Sequence, residues 1–406
     1  MYRIPLAVNT FGSEEREALL AVWDSGRMTQ GERVREFERV VSRYHMRPEG
    51  VFCNSGSSAN LLMVTALMSH YTRRTLRPGD EVIVPAVTWP TTVWPLVQMG
   101  AVPVFVDVDP ATLAMRPEAV ERAWGPKTRA VLLVHLLGNP GPARELDGLC
   151  RSWGVDLLED CCEALGAELE GRRVGRPSGA PDVVGSFGRM ATFSFYFSHH
   201  LTTVEGGMVV GSPPDASVMR SLRNHGMIRD LDQPLRGATE ALHPALDPRF
   251  LFLTVGFNLR GTDLQAAVGL AQWAKQQGWR EHRRVVASLW ADAVADLPEA
   301  FVPFRFAAGA NPFAFPLIVR RDGPVNRREV VERLEAAGIE TRPIVAGCLT
   351  RQPALQDVPH RVSGALDGAE LLHDQGLYIG IHPLMTDEDV LFVAEMIQKA
   401  AAGVAA

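Results

Sequence analysis

Two adjacent histidines follow a short apolar stretch near the middle of this 406-residue chain. His199 and His200 come directly after the segment 192–198, and two threonines and a Glu-Gly-Gly turn follow them. Imidazole can bind a metal, or it can accept and donate protons near neutral pH because its ordinary pKa is about 6.5. The pair could equally fill a loop. The residues elsewhere in the chain must distinguish these three possibilities.

A helix start rich in small polar residues is a candidate anion site. The stretch NSGSSANLL, residues 54–62, places Gly56 and Ser57 at the first turn of an apolar helical segment. Free amides and the helix dipole favour a phosphate at such a turn. An ordinary serine cap would have the same residues, so both interpretations stay open for this stretch alone.

Acidic side chains end a second apolar stretch. The segment 155–160, VDLLED, finishes with Glu159 and Asp160, and Glu163 follows one turn later. A carboxylate at the end of a buried strand can pair with a protonated ring nitrogen of a cofactor and keep it positive. Acids in the first turn of a helix have the same spacing, so the segment alone does not decide between the two.

An aromatic residue and an amide follow other predicted strands and turns. Trp89 comes just after the apolar run 81–85, where it can stack on a flat cofactor ring or fill the core. Asn258 lies in a turn before a predicted helix that starts near Thr262. It is a candidate polar ligand, although asparagine is common in turns without any function.

Short apolar runs alternate with helical stretches between about residues 50 and 210. Continuous apolar runs are typical of strands buried on both faces, and their alternation with helices predicts an α/β fold with a mixed, mostly parallel sheet. Sites in such sheets lie at the carboxyl ends of strands. The predicted strands are 81–85, 102–108, 129–135, 155–160, 192–197 and 207–212, and the predicted helices are 57–71, 117–124 and 143–154.

The second half of the chain predicts a long loop and a smaller domain. Residues 226–256 show little periodicity and carry three prolines, which predicts a long loop of the kind that is often functional or mobile. Farther on, an apolar run at 313–319 and a helix–strand pair at 330–345 predict an α+β unit. We therefore divide the chain into an N-terminal segment with a large α/β domain, 1–270, and a small C-terminal α+β domain, 271–406.

Composition argues against several classes of protein. The net charge is −6, and no block of basic and aromatic residues indicates a nucleic-acid partner. The longest apolar run, 61–68, is too short for a membrane span, and the first residues do not resemble a signal peptide. The five cysteines lack metal-site spacing, which favours a reduced, cytoplasmic setting without a metal centre.

The order of these features resembles a fold-type I pyridoxal phosphate enzyme, with a phosphate-ready turn, then an aromatic, then a strand-end acid. From the N-terminus to about residue 390 the chain resembles the DegT/DnrJ/EryC1/StrS family of sugar aminotransferases. The motifs that carry this resemblance are SGSSAN, VPAVTW, FVDVD, LLGNP, LLEDCCEALGA, TFSFYFSHHLTTVEGG and GFNLR. The resemblance implies a large domain that binds pyridoxal phosphate and a smaller C-terminal domain.

One residue departs from the pattern of the family's aminotransferases. Their cofactor-binding lysine usually lies six residues after the phenylalanine of an FSF-type strand, and counting from Phe193 leads to His199. The chain has only three lysines, Lys127, Lys275 and Lys399, and none follows a comparable strand. Histidine at this position resembles the family's 3-dehydratases of nucleotide-linked 4-keto-6-deoxy sugars, most of all those specific for GDP-4-keto-6-deoxymannose. A CDP-linked branch with an iron–sulfur cluster is disfavoured by the scattered cysteines.

This resemblance implies removal of a hydroxyl group. Pyridoxamine phosphate, held without a covalent bond, would condense with the C4 ketone, and His199 would carry out both proton transfers at neutral pH as the C3 hydroxyl leaves. Water would then release the ketosugar and ammonia, and an amino donor such as glutamate would restore the cofactor. The alternatives are an aminotransferase that lacks the lysine and an inactive family member that binds a sugar nucleotide.

The resemblance also implies contacts for the cofactor and substrate. Asp160 would pair with the pyridinium nitrogen, Glu163 would lie near the ring hydroxyl, and Trp89 would stack on the ring. The phosphate would be bound by Gly56, Ser57 and Ser194, with Asn258 supplied by the neighbouring subunit of a homodimer with shared active sites. His225 is a candidate substrate contact. His200 matches the dehydratase pattern but receives no role.

Overall fold

A central sheet flanked by helices organises residues 2–73, 75–169 and 182–403, which this computed structural model describes. The α-helices are α1 (Ser13–Ser25), α2 (Glu32–Tyr44), α3 (Gly56–Met68), α4 (Pro90–Gln98), α5 (Pro117–Ala123), α6 (Ala143–Trp153), α7 (Pro213–Arg223), α8 (Gln233–Leu242), α9 (Asp263–Trp273), α10 (Gln276–Ala295), α11 (Arg327–Ala336), α12 (Asp367–Gln375) and α13 (Asp387–Ala401). The strands are β1 (Glu49–Cys53), β2 (Glu81–Pro85), β3 (Val102–Val106), β4 (Val108–Asp109), β5 (Ala114–Met115), β6 (Thr128–Val134), β7 (Asp156–Asp160), β8 (Glu168–Leu169), β9 (Asp182–Val183), β10 (Met190–Ser194), β11 (Gly207–Gly211), β12 (Ala314–Ile318), β13 (Thr341–Pro343), β14 (Arg361–Val362) and β15 (Gly376–Gly380).

The large sheet has eight strands in the order β1-β11-β10-β7-β6-β2-β3-β14. The strands from β10 to β14 in this order are parallel, whereas β11 runs antiparallel to both β1 and β10. Helices on both faces bury the parallel strands, and this is why consecutive residues such as Val82, Ile83 and Val84 are apolar and have no exposed surface. The predicted mixed, mostly parallel α/β sheet is confirmed.

A second, three-stranded sheet lies in the C-terminal part of the chain. Its strands have the order β12-β15-β13 and are antiparallel. A separate apolar core packs this sheet against α10 and α13, with Trp290 and Phe315 fully buried and Ile4 contributed by the N-terminal segment. The domain boundary at residue 270 stays a prediction.

The expectation of one long loop at 226–256 is wrong in part, because the helix α8 lies within it. Pro234 falls in the first turn of this helix, where its missing amide leaves no hydrogen bond unmade. Leu235 of the helix packs with a small apolar cluster formed by Ile228, Leu231 and Leu251. Pro234 therefore marks the start of a helix here and not a continuation of the loop. Within the described residues, no helix combines the length and apolarity that a membrane span requires.

Two strands differ from the expected ones near the histidine pair. Strand β1 was not predicted, because its sequence EGVFC is short and not uniformly apolar. Strand β10 ends at Ser194, three residues earlier than predicted. The chain beyond it stays tied to the sheet region, because the amide of Phe195 donates to Gly206 O at 2.9 Å and the amide of Thr203 donates to Phe195 O at 2.9 Å. The histidines thus belong to a tethered loop.

Candidate active site

A cavity of about 510 Å³ opens at the carboxyl ends of β2, β6, β7 and β10. This is the edge at which parallel α/β sheets hold ligands, and the volume is typical of a small-molecule site. Seven of the nine predicted site residues line this cavity: Gly56, Ser57, Trp89, Asp160, Glu163, Ser194 and His199. Folding therefore brings together residues that are separated by more than 140 positions in the sequence.

The start of α3 forms one wall of the cavity. Ser55 caps the helix, whose first amides have no partner within the helix. A Cβ atom on Gly56 would lie 2.6 Å from the Cβ of Ser194, so only glycine lets the helix start approach the end of β10 this closely. Ser57 Oγ donates to Thr91 Oγ1 at 3.1 Å and links this helix start to that of α4. The wall combines free amides with two serine side chains, which suits an anionic group.

Asp160, at the end of β7, is held by a polar network. Its Oδ2 accepts hydrogen bonds from Asn60 Nδ2 at 2.9 Å and Thr92 Oγ1 at 2.8 Å, and its Oδ1 accepts from the amide of Cys162 at 3.1 Å. Asn60 is itself oriented by Thr192 Oγ1, which donates to its side-chain oxygen at 2.7 Å. The carboxylate is 4% exposed and has a fixed orientation in the cavity wall.

The side chain of the neighbouring acid, Glu159, lies on the opposite face of the sheet, because successive strand side chains alternate in direction. It is fully buried and accepts hydrogen bonds from His135 Nε2 at 3.0 Å and from the amides of Gly185 at 2.9 Å and Phe187 at 2.7 Å. His135, Glu159 and Cys161 come within 4.8 Å of one another. The ring nitrogens of His135 and the carboxylate already have hydrogen-bond partners, so packing accounts for this cluster.

Glu163 lines the cavity beside Asp160. Burial raises the pKa of the Glu163 carboxyl to about 7, and the nearby Asp160 charge adds to this shift, while the hydrogen bond from the amide of Leu137 opposes it. That amide donates to Oε2 at 2.9 Å from a residue with a left-handed backbone, φ 50°. At neutral pH the carboxyl is protonated in a large fraction of molecules, so it can donate a hydrogen bond as well as accept one.

His199 presents its ring to the same cavity. The ring packs edge-to-face against Phe313 and Tyr196, with centroid distances of 5.2 and 5.9 Å. Burial lowers the pKa of His199 to about 4, and the positive charge of Arg283 lowers it further. The expectation that His199 keeps its ordinary pKa is therefore wrong, because the surrounding rings and the guanidinium disfavour the charged form. At neutral pH the imidazole is uncharged and has a lone pair that can accept a proton.

None of the three lysines lines this cavity. Lys275 forms salt bridges with Glu15 at 2.7 Å and Glu14 at 3.2 Å. Lys399 pairs with a glutamate one turn away on α13 at 3.0 Å, and Lys127 is exposed just before β6. The position that the aminotransferases fill with lysine is therefore occupied by His199 without a lysine elsewhere in the cavity wall.

Two predicted site residues lie apart from the cavity. Asn258 is exposed and forms an isolated antiparallel bridge with Asn224. His225 is also exposed, has a left-handed backbone with φ 62°, and its Nε2 lies 3.2 Å from Arg260 Nη1. Their predicted roles toward a cofactor in a second subunit or a substrate stay predictions.

Several residues of the cavity wall were not predicted from the sequence. Asn60 and Thr92 orient Asp160, and a signal for Asn60 was available, since it is a polar residue in an apolar helical stretch. Arg342 and Tyr378 face each other across β13 and β15 and line the cavity from the small sheet. Neither was predicted as a site residue from the sequence. Glu205, of the Glu-Gly-Gly turn, also lines the cavity.

The chain is similar to characterised proteins over nearly its whole length. GDP-4-keto-6-deoxy-D-mannose 3-dehydratase of Yersinia pseudotuberculosis is 33% identical over 403 residues, which cover 98% of this chain and 99% of that protein. dTDP-4-dehydro-2,6-dideoxy-D-glucose 3-dehydratase of Saccharopolyspora spinosa is 35% identical over 400 residues, which cover 95% of this chain and 84% of that protein.

Solved structures and family comparison agree with these relatives. The crystal structure of GDP-4-keto-6-deoxymannose-3-dehydratase with a trapped PLP-glutamate geminal diamine has a TM-score of 0.87 and 32% identity, and the match covers 97% of this chain and 100% of that one. The family described as the DegT/DnrJ/EryC1/StrS aminotransferase family matches residues 9–398. The likeness of fold and the match to the family profile thus extend over the same residues that form the cavity, and the chain belongs to the DegT/DnrJ/EryC1/StrS aminotransferase family.

Proposed function

We propose that this chain is a 3-dehydratase that uses pyridoxal and pyridoxamine phosphate to remove the C3 hydroxyl of a nucleotide-diphospho-4-keto-6-deoxyhexose. The observation that carries the proposal is His199 in a cavity of the aminotransferase type whose wall contains no lysine. The two relatives above are named as 3-dehydratases of GDP- and dTDP-linked ketosugars, which supports the reaction and the substrate class. The PLP–glutamate complex of the third supports glutamate as the amino donor.

The residues of the cavity fit the cofactor. Asp160 supplies a buried carboxylate whose two oxygens accept three hydrogen bonds and retain lone pairs for a ring N–H. The start of α3, with Gly56, Ser57 and the adjacent Ser194, suits a phosphate. Trp89, 56% exposed and at the start of α4, offers a flat surface for a ring.

Bound pyridoxamine phosphate would supply the amine that condenses with the C4 ketone, and its ring would hold the electrons released when a proton leaves the carbon next to that amine and would pass them to the sugar as the C3–O bond breaks. Asp160 keeps the ring nitrogen protonated and thereby strengthens this electron acceptor. His199, uncharged at neutral pH, takes a proton and returns it during loss of the hydroxyl. Because imidazole cannot form a stable imine, His199 leaves the cofactor free to dissociate or to be regenerated by the donor.

The overall reaction balances without a further reductant. The sugar loses its C3 oxygen as water and gains two electrons, and these electrons come from glutamate, which becomes 2-oxoglutarate with release of ammonia. Each deoxygenated ketosugar is therefore accompanied by one 2-oxoglutarate and one ammonia. A transaminase would instead retain the nitrogen in an amino sugar.

The same proposal includes a homodimer with shared sites, in which Asn258 of one subunit completes the phosphate site of the other. Exposed apolar side chains in the segment that precedes Asn258 in sequence, namely Leu242, Phe250 and Val255, support an interface on this part of the chain. Mixing the inactive variants His199→Asn and Asn258→Ala should restore activity, because each mixed dimer has one intact site. Mixtures without activity would contradict shared sites.

The function is tested by incubating the protein with pyridoxal phosphate, glutamate and a panel of GDP- and dTDP-linked 4-keto-6-deoxy sugars. The expected products are a sugar nucleotide lighter by one oxygen, 2-oxoglutarate and ammonia in equal amounts, measured by mass spectrometry and enzymatic assays. An amino sugar without released ammonia would identify a transaminase and refute the proposal.

A further inference from the structure

A second, small cavity lies behind His199. It is lined by the loop that follows β10, by Arg283 of α10, by His382 and by the N-terminal segment near Val8. His199 lines both this rear cavity and the 510 Å³ cavity in front. The rear cavity measures about 10 Å³, which is at the lower limit for one water molecule.

Polar atoms without partners surround the rear cavity. His199 Nδ1, His200 Nδ1, Arg283 Nε and both ring nitrogens of His382 are enclosed and have no hydrogen-bond partner among the described residues. His200, Arg283 and His382 are 5%, 4% and 7% exposed. Leaving such groups unpaired costs about 1–3 kcal/mol each, so a ligand that satisfies several of them at once is strongly favoured.

The hydrogen-bonding character of two of these atoms is fixed by their other contacts. His200 Nε2 lies 2.9 Å from the carbonyl oxygen of Asn311, which can only accept, so His200 carries its proton on Nε2. Burial and the charge of Arg283 hold the pKa of His200 well below its ordinary value, and Nδ1 is therefore a lone-pair acceptor. Arg283 Nε–H is a donor under all conditions. A site that presents both a donor and an acceptor suits water. A halide is disfavoured, because it can only accept hydrogen bonds and would be repelled by the lone pair of His200 Nδ1.

We propose that one water molecule in the rear cavity accepts hydrogen bonds from His199 Nδ1–H and Arg283 Nε–H and donates to His200 Nδ1 and one ring nitrogen of His382. The two accepted and two donated bonds use the full capacity of the water. With the lone pair of His382 turned toward the water, His199 is held with its proton on Nδ1, and its Nε2 keeps the lone pair for the active-site cavity that the ring also lines. His200, Arg283 and His382 are positioning residues that act through this water.

The inference gives the second histidine of the pair a purpose, and it rests on the proposed base role of His199. Arg283 Nη1 lies 3.4 Å from the carbonyl oxygens of Pro312 and Phe313 and also donates to the carbonyl of Ile381. The guanidinium is therefore fixed by backbone groups, and no carboxylate neutralises it through an ion pair within the described residues. Its Nε–H remains as the donor that orients the water.

The tautomer of His199 can be measured by nitrogen NMR on protein labelled with ¹⁵N-histidine, with the His199→Asn variant used to assign its signals. The expected result is a proton on Nδ1 at neutral pH, and a crystal structure should show one water in the rear cavity. A proton on Nε2, or a rear cavity without ordered density, would overturn the inference. The tautomer itself is measured on the wild-type chain, and the variant serves only to assign the signals.

Two substitutions of His200 separate positioning from packing. His200→Gln can still donate to the Asn311 carbonyl but has no acceptor in place of Nδ1, whereas His200→Asn keeps a polar atom near Nδ1 but does not reach that carbonyl. We expect His200→Gln to give a mixture of His199 tautomers and a fall in kcat of about tenfold to a hundredfold, within the range of general base catalysis, with KM unchanged. His200→Asn should lower kcat less and retain the Nδ1 proton. An unchanged tautomer in His200→Gln would refute the water-mediated contact.

The tautomer of His199 and the ordered water can be measured whether or not the proposed function holds. If the Nδ1 tautomer is found but no sugar loses oxygen, the proposed function fails and the positioning inference stands. If deoxygenation occurs with the opposite tautomer, the inference fails and the function stands.

Discussion

The network around Asp160 leads to a prediction about the variant Asn60→Leu, which keeps the side-chain size but removes the amide. The substitution deletes the bond from Asn60 Nδ2 to the Asp160 carboxylate and leaves Thr192 Oγ1 without its acceptor. A hydrogen bond to a charged group contributes about 1.5–3 kcal/mol and a neutral one about 0.5–1.5 kcal/mol. We therefore expect the free energy of unfolding to fall by about 2–4 kcal/mol, after some compensation from the added apolar surface.

Urea unfolding followed by circular dichroism measures this loss, and absorbance titration with pyridoxal phosphate measures cofactor affinity. Because Asp160 is less firmly oriented in the variant, we expect the Kd of the cofactor to rise about tenfold, equivalent to about 1.4 kcal/mol. Thr65→Val is the matched control, since Thr65 Oγ1 bonds only to the carbonyl of Leu61 within the same helix. The control should leave the Kd unchanged. If Asn60→Leu has wild-type stability and affinity, the network does not orient Asp160.

Three further predictions concern Gly207, which lies against the turn before α3, and the cavity residues Glu163 and His199. Gly207→Ala would place a Cβ 2.1 Å from the carbonyl oxygen of Ser55, so we expect the free energy of unfolding to fall by about 1–3 kcal/mol or more. Gly237→Ala in α8 is the control, because nothing lies within 4 Å of the added Cβ, and it should raise the free energy of unfolding by up to about 1 kcal/mol. Equal effects of the two substitutions would contradict the close approach at Gly207. Burial raises the pKa of Glu163 from 4.5 to about 7, so between these pH values the folded chain keeps a proton that the unfolded chain releases. The free energy of unfolding should therefore fall as pH rises from 4.5 to about 7. Glu163→Gln should flatten this part of the stability profile, and an unchanged profile would contradict the shift. His199→Asn should bind pyridoxal phosphate with near wild-type affinity while deoxygenation falls by about 10²–10⁴-fold, and unchanged turnover would remove His199 from the chemistry.

Strand-end residues were the part of the site that could be predicted from sequence. Asp160, Trp89 and the start of α3 follow recognisable apolar runs or open a helix, and the carboxyl ends of parallel strands meet at one edge. The exchange of lysine for His199 was visible by counting from Phe193. In each case the local sequence pattern fixes where the side chain emerges from the sheet.

The supporting contacts could not be predicted because they depend on tertiary packing. Thr92 reaches Asp160 across 68 positions, and His200 meets the Asn311 carbonyl across 111 positions. The low pKa of His199 arises from enclosure by Phe313 and from Arg283 on a distant helix, neither of which is near it in sequence. The helix α8 was missed because Pro234 was read as a breaker although it occupies the first turn.

The most direct test of a cofactor site without a lysine is intact-protein mass spectrometry after incubation with pyridoxal phosphate and reduction with borohydride. The matched variant is His199→Lys, which places an amine in the cavity wall. We predict that the wild-type chain keeps its unmodified mass and that His199→Lys gains one reduced pyridoxyl phosphate group. A wild-type chain that gains this group to the same extent as His199→Lys under the same conditions would contradict the account.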